Sequence, residues 1–408
     1  MSCAEQPFYD VVIVGAAISG LTLACCLIHQ GLRIAIIDQR SSGLVPTDVS
    51  YAAGKSNQRV SAINLGSQQI LERYEIWSRL SPLAISEFQG LEVWEGGSSL
   101  RFSLSALDMG WPYLGSIINN NQLQTAMLLQ VQTSRDCEWF FSETILDWQR
   151  RDDTLVLCLA SGLSITTQLV VGADGIDSSV RQLAGIKIKM FDYQQQGLVT
   201  TVETTLPHKK IARQIFLPSG PLAFLPLSDP RHCSIVWSTS PEEAARLVNS
   251  TDELFKQELA AIFEHCLGNI QDSSLTRLCF SLKTQHSEHY IKSGVALIGD
   301  AAHTVHPLAG QGANLGIADA HALAKVILAA KHSQQALGLL ESLRPFERER
   351  RFHHRLMGES IDLIKQLFSS GNPVIKRLRH AGLGAINQLT CVKNKLAYYA
   401  MGSPMLYP

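Results

Sequence analysis

One stretch, Val295 to Asp319, limits the folds open to this chain more than any other. It begins as a short apolar run, which reads as a buried strand. The run ends in Gly299-Asp300, which sets a carboxylate at the strand's carboxyl end. A loop with Pro307, Gly310 and Gly312 follows. The pattern then predicts a helix from near Ala313 through Leu323, Val326 and Leu328. A strand, a carboxylate, a glycine-rich loop and a helix N-terminus together make a site for a phosphate-bearing cofactor in an α/β sheet.

Two further strand–glycine–helix units support that reading. Tyr9 to Val14 reads as a buried parallel strand, followed by Gly15-Ala16-Ala17-Ile18-Ser19-Gly20 and an apolar helix to about Gln30, with Gly31 as its C′ residue. Arg33 to Ile37 is the second strand and ends at Asp38, with Gln39 and Arg40 next. This is the dinucleotide-binding layout: Gly15 makes the tight turn, Gly20 lets helix and strand pack, and Asp38 accepts from the adenosine ribose hydroxyls. The middle glycine of the fingerprint is replaced by Ala17, whose methyl costs ~1–3 kcal/mol if the loop cannot relax. The third unit, Leu169-Val-Val-Gly172-Ala173-Asp174-Gly175, leads into a helix start at Ser178 to Arg181.

Composition removes other classes. With 408 residues, 17% charged and 46% apolar, the chain has the length for one large or two modest domains. A net charge of −1 argues against a nucleic-acid partner. The nine cysteines have no paired C-x-x-C spacing, which fits a reducing compartment. Val11 to Ile28 is uncharged, but its glycine spacing and missing basic flank argue against a membrane span or signal peptide. No repeat or low-complexity tract occurs.

His306-Pro-Leu-Ala-Gly310-Gln311-Gly312-Ala313-Asn314-Leu-Gly316-Ile-Ala-Asp319 resembles, throughout, the signature of the flavin-dependent aromatic-ring hydroxylases of ubiquinone biosynthesis. All three motifs stand in the order of that class. The resemblance implies the para-hydroxybenzoate-hydroxylase-like fold class: α/β, a discontinuous Rossmann-like FAD-binding domain with an inserted antiparallel-sheet substrate domain and a C-terminal helical tail. The corresponding expectation is an FAD-binding domain at 1–80, 108–186 and 283–345, a substrate domain at 81–107 and 187–282, and a C-terminal helical region at 346–408.

It also implies FAD as cofactor, NAD(P)H as co-substrate, and hydroxylation by O₂ of a polyprenylated phenol, such as 2-polyprenylphenol or 2-polyprenyl-6-methoxyphenol. Carried over by motif, Arg59 lies beside the flavin, the backbone around Pro307, Gly310, Gln311 and Gly312 sits against its ring, and Ala313 and Asn314 are further cofactor-binding residues. Asp300 accepts from the ribityl hydroxyls, and Asp174 holds the pyrophosphate region indirectly, with Arg181 in support. The implied catalytic pair is His306 and Pro307, with His306 as proton acceptor for the phenol. Asn119 and Asn121 stand where the family usually has Glu and Arg. Asn120 and Gln122 are flavin candidates, but asparagine is equally a helix N-cap. His303 and His306 lack a third ligand at metal spacing, so no metal is expected. Two rival readings keep the fold: a flavin-poor scaffold subunit, motivated by Ala17 and Asn119, and a flavin-dependent prenyl reductase.

The rest reads more plainly. Gly66 to Arg79 predicts one amphipathic helix, and Leu91 to Leu104 predicts strands. Gly197–Glu203, Ala212–Leu217, Leu222–Leu227 and Cys233–Ser238 predict strands, and Pro241–Leu247 and Asp252–Phe263 helices. Phe216, Phe224 and Trp237 read as core, and Arg344 to Arg355 as a solvated helix. The final 46 residues carry a formal +6, with apolar residues at mostly helical spacing. Such a tail either lies on the inner, cytoplasmic face of an anionic membrane, packs on the FAD domain, or binds another ubiquinone-synthesis protein.

Overall fold

The computed structural model describes residues 6–41, 59–98, 100–271, 276–304 and 311–369, with side chains as far as Glu359. His306, Pro307, Gly310 and the tail after residue 369 lie outside the described residues.

Phe8–Val14 is the middle of a parallel sheet, and Val11 to Val14 are all buried, as a strand covered on both faces requires. It pairs in parallel with Ile34–Asp38 on one side and Ser164–Gly172 on the other. Cys137–Phe141 extends the first side and Val295–Leu297 the second, both in parallel. Ile18–Leu27 is apolar all round because it packs between this sheet and the helices Asn120–Val131 and Gly312–His332. It stops three residues before the expected Gln30, because His29 turns left-handed at φ 61°. Lys331 then binds the carbonyls of Gln30 and Gly31.

The expected helix over Gly66 to Arg79 is two pieces, Leu65–Arg73 and the 3₁₀ turn Trp77–Arg79, separated by Glu75 at φ 58°. Gly312–His332 is long and apolar enough to cross a membrane, but 72% of its most apolar window is buried inside the fold, so it is a core helix. Against it lies Leu340–Ser369, which corrects the reading of Arg344 to Arg355 as a solvated helix. Leu343, Phe346, Arg350 and His354 recur at helical spacing and are all buried. The seven cysteines among the described residues are free.

The second layer is an eight-stranded sheet in the order 303–304, 278–287, 188–203, 232–239, 220–226, 211–217, 90–95, 101–105. All its pairs are antiparallel except Ile211–Leu217 with Gly90–Glu95. Side chains alternate across the pleat. Leu198, Ile215, Leu222, Phe224, Ile235 and Trp237 point to one face, which Pro241–Asn249 and Asp252–Ile262 cover with Leu247, Phe255, Leu259 and Phe263. Phe224 and Trp237 are therefore core, as expected. Phe216 is also buried, but on the opposite face, against Leu315 at the start of Gly312–His332. A three-stranded sheet of Val60–Asn64, Gly115–Asn119 and Ile85–Phe88 lies between the two layers in sequence and packing.

The glycines divide into two kinds. A Cβ on Gly20 would overlap the Gly15 carbonyl oxygen, whereas one on Gly312 would meet nothing within 4 Å. Gly20→Ala is therefore expected to destabilise the apoprotein by about 3 kcal/mol, and Gly312→Ala by less than about 1 kcal/mol. Urea unfolding of the two variants measures the difference; equal losses would contradict it.

Candidate functional site

The three glycine motifs converge. Gly15 holds φ 102°, and a side chain there would collide with the backbone of Ala173 and Asp174, so the first turn is seated on the second motif. A side chain on Gly299 or Gly316 would overlap Ser19 Oγ, so the third motif is seated on the first. Contacts this close leave no room for a side chain at Gly15, Gly299 or Gly316.

Around the first turn, the Ala16 amide donates to Asp38 Oδ2 at 2.6 Å. Arg40 donates to the same carboxylate from its amide, Nε and Nη2, and to the Ala16 carbonyl at 2.7 Å. Burial alone would raise the Asp38 pKa, but the Arg40 guanidinium and the two amides hold it below the ordinary carboxylate value. Ala17 is the N-cap of Ile18–Leu27 at φ −89°, and Ala17, Gln39 and Arg40 are exposed on this rim. That φ suits alanine as well as glycine, so the replacement does not strain the backbone.

Asp174 turns inward. It accepts from Ser178 Oγ at 2.5 Å, Ser179 Oγ at 2.9 Å and the Val180 amide at 3.2 Å, and so orients Ser178, which caps the helix Ser179–Leu183 by accepting from the Arg181 amide. Buried Arg181 donates to Ile176 O at 2.7 Å and Ala301 O at 3.0 Å, tying the second motif to the third. Burial lowers its pKa.

Asp300 differs from both. Its side chain is exposed by surface area, and among the described residues its carboxylate has no hydrogen-bond partner. It is nevertheless crowded by protein: desolvation raises its pKa, opposed by His303 and Arg59. A carboxylate that solvent reaches and that has no protein partner is open to a ligand. Arg59, which acts on this carboxylate, stacks over the Phe280 ring at 4.6 Å. The amide of Asn120 donates to Arg59 O at 3.0 Å, and Asn120 Oδ1 accepts from Ser61. Asn119 caps Asn120–Val131 by accepting from the amides of Asn121 and Gln122, so the capping role belongs to Asn119. Gln122 Oε1 is buried without a partner.

Gln311, Gly312 and Ala313 open the long helix, beside empty space. Asn314 faces the other way. It accepts from the Asn64 amide at 3.0 Å and donates to Ala62 O at 2.8 Å, clamping strand Val60–Asn64 to the helix start.

Sequence reasoning missed the group beneath this site. Asp319 is completely buried and accepts from the Gly299 amide (3.0 Å), His303 Nε2 (2.6 Å), Arg350 Nε (2.6 Å) and His354 Nε2 (2.9 Å). His354 Nδ1 faces Tyr290 OH at 3.0 Å. Arg350 Nη2 also lies 3.3 Å from His354 Nε2. Burial presses the His354 pKa down to about 3, against the pull of Asp319. Burial pushes Asp319 up, but His354, His303 and Arg350 hold it well below the usual carboxylate range. His303, Asp319 and His354 have metal-like spacing, but Arg350 already supplies the positive charge a cation would bring. The helical spacing of Leu343, Phe346, Arg350 and His354 was the signal available.

A reachable carboxylate without a hydrogen-bond partner, an unpartnered buried Gln122 oxygen and an open helix N-terminus fit a dinucleotide with a polar linker. A profile of the FAD binding domain family matches residues 8–355. The chain is 31% identical over 393 residues to 3-demethoxyubiquinol 3-hydroxylase of Escherichia coli, covering 96% of this chain and 98% of that one. It is 32% identical over 399 residues to ubiquinone hydroxylase UbiL of Rhodospirillum rubrum, covering 98% and 91%. The chain belongs to the FAD-dependent ubiquinone-biosynthesis hydroxylases.

This hydroxylase is an FAD-dependent monooxygenase with NAD(P)H as co-substrate. Over 449 aligned residues it is 31% identical to ubiquinone biosynthesis monooxygenase COQ6 of Xenopus tropicalis, covering 98% and 95%. Its fold matches PqsL of Pseudomonas aeruginosa, a probable FAD-dependent monooxygenase, with TM-score 0.74 and 24% identity over 93% of this chain and 100% of that one. It also matches p-nitrophenol 4-monooxygenase PnpA of Pseudomonas putida, with TM-score 0.77 and 16% identity over 98% and 99%.

The two motif carboxylates should separate by experiment. Asp300→Ala is expected to lose most of the bound FAD while its apoprotein stays as stable as wild type. Asp174→Ala leaves Ser178, Ser179 and the Val180 amide without their acceptor and should cost about 1–2 kcal/mol of stability with a smaller loss of FAD. FAD per chain and urea midpoints read both; normal FAD content in Asp300→Ala would contradict the assignment.

Proposed function

We propose that this hydroxylase adds oxygen to the ring of a polyprenylated phenol in ubiquinone biosynthesis, such as 2-polyprenylphenol or 2-polyprenyl-6-methoxyphenol. The observation that carries the reading is Asp300, crowded and without a hydrogen-bond partner, where three glycine motifs meet in a chain similar to ubiquinone hydroxylases over nearly its whole length. Bound FAD, reduced by NAD(P)H, supplies the activation of O₂, so that one oxygen atom enters the ring and the other leaves as water.

The protein binds, orients and excludes water. In this reading Gly15 and Gly20 make the tight turn and packing that bring the backbone at Ala17 to the pyrophosphate, and the rim of Gln39 and Arg40, held by Asp38, takes the adenosine. Asp300 accepts from the ribityl hydroxyls, with Gln122 as a further acceptor. Arg59, Asn120, Gln311, Gly312 and Ala313 border the ring system. Asp174 and Asn314 hold the loops rather than the cofactor, since their polar atoms are already engaged. His306 takes the phenol proton beside Pro307 and Gly310. Residues 1–80, 108–186 and 283–345 form the cofactor domain, residues 81–107 and 187–282 the substrate domain, and residues 346–408 the helical region. The basic tail rests on the inner, cytoplasmic face of the membrane, where such a substrate partitions.

Purified protein with 2-polyprenylphenol, NADH or NADPH and ¹⁸O₂ tests the reading. One ¹⁸O per product, with FAD released on denaturation, is expected. A protein that binds no FAD would point to a scaffold; a product with a reduced prenyl chain and no added oxygen would point to a reductase.

A further inference from the structure

Strand Leu278–Ser287 of the eight-stranded sheet reaches the turn that presents Asp300. Gln285, completely buried in that strand, donates from Nε2 to the Asp300 carbonyl at 2.9 Å and to the Ile176 carbonyl at 3.0 Å. Ile176 belongs to the second glycine motif and Asp300 to the third, so one amide ties the sheet to both. Two carbonyls on its nitrogen side fix which way the amide points. Arg181 makes a similar bridge from the cofactor layer, to Ile176 O and Ala301 O. Asp319 holds the Gly299 amide. Within the turn Gly299–Ala301 the middle carbonyl, that of Asp300, is therefore the one held from the sheet.

The same strand makes a second contact at the site. Phe280 lies under the Arg59 guanidinium at 4.6 Å, and Arg59 draws the Asp300 pKa down. Leu278–Ser287 thus touches both the backbone of Asp300 and the cation that acts on its carboxylate.

Folding alone does not account for Gln285. Ile176 O already accepts from Arg181 Nη2 at 2.7 Å, and Asp300 O has Thr304 Oγ1 at 3.5 Å. Gln285 Oε1 is buried with no partner among the described residues, and an acceptor left unpaired in this way opposes folding. An apolar side chain of similar length would avoid that cost. Groups that work against stability are found where function requires them.

We propose that Gln285 is a positioning residue for oxygen transfer: it holds Asp300, and with it the cofactor, in register with the eight-stranded sheet. The proposal rests on the reading of Asp300 as acceptor for the ribityl hydroxyls. Small displacements of reacting groups cost much of the rate of a positioned reaction. Without the register, NAD(P)H, a proton and O₂ yield NAD(P)⁺ and hydrogen peroxide in place of hydroxylated ring and water.

The test uses the FAD-loaded enzyme with 2-polyprenylphenol and NADH or NADPH, beside the apoprotein. Gln285→Met keeps the length and removes the donors. Its urea midpoint should match wild type, and its FAD dissociation constant should rise about ten-fold. At saturating FAD, KM for the phenol should stay within about two-fold of wild type. Product formed per NAD(P)H should fall, with hydrogen peroxide accounting for the remainder. If Gln285→Met does not fold, Gln285→Glu, which keeps the shape and loses the donors, decides by the same readings. A variant that loses stability yet binds FAD and couples NAD(P)H to product as wild type does would make Gln285 a structural contact and overturn the proposal. Asp300→Ala separates the two levels. If it keeps its FAD, the reading of Asp300 fails; if it loses FAD while Gln285→Met binds and couples as wild type, the positioning role alone fails.

Discussion

The structure depends on one buried carboxylate. Asp319 lies within the longest apolar helix, where an unpaired charge would be prohibitively costly. Four donors from three other segments meet it: the Gly299 amide, His303, and Arg350 with His354. Gly299 and His303 flank Asp300, so the carboxylate fixes the turn that presents the reachable acid. Arg350 and His354 belong to Leu340–Ser369, so the same carboxylate also fastens that helix onto the cofactor layer. Removing one partner from a buried charged group typically costs 3–5 kcal/mol, because the group left behind cannot regain water.

The glycine contacts extend this anchoring outward. Gly299 and Gly316 both approach Ser19, and Gly15 rests on Ala173, leaving no room for side chains between the motifs. Arg181 completes the connection by reaching the Ala301 carbonyl from the second motif. The three motif turns are thus held from behind by buried contacts. Their front surface keeps open groups: Ala17, Asp300 and the N-terminus at Gly312. Pre-organised groups of this kind bind without ordering loops at the moment of binding.

Much of this was legible in the sequence, because strand, glycine turn and helix follow one another within a few residues. Tyr9 to Val14, Asp38 and the helix after Gly312 were readable for that reason. The helix end at Leu27 was not, since the carbonyls beyond it are taken by Lys331, some 300 residues away. Arg350 and His354 looked like part of a solvated helix, because the acid that buries them sits on another element. Asn119 was ambiguous from sequence, and its contacts with the amides of Asn121 and Gln122 make it a cap.

The most direct test is Asp319→Asn, measured by urea unfolding of the apoprotein together with the FAD dissociation constant. Asparagine keeps the size but removes the charge, leaving Arg350 buried without its counter-ion. The account predicts a stability loss of about 3 kcal/mol or more and weaker FAD binding, because the Gly299–His303 turn loses its anchor. A variant as stable as wild type, with an unchanged FAD dissociation constant, would contradict it.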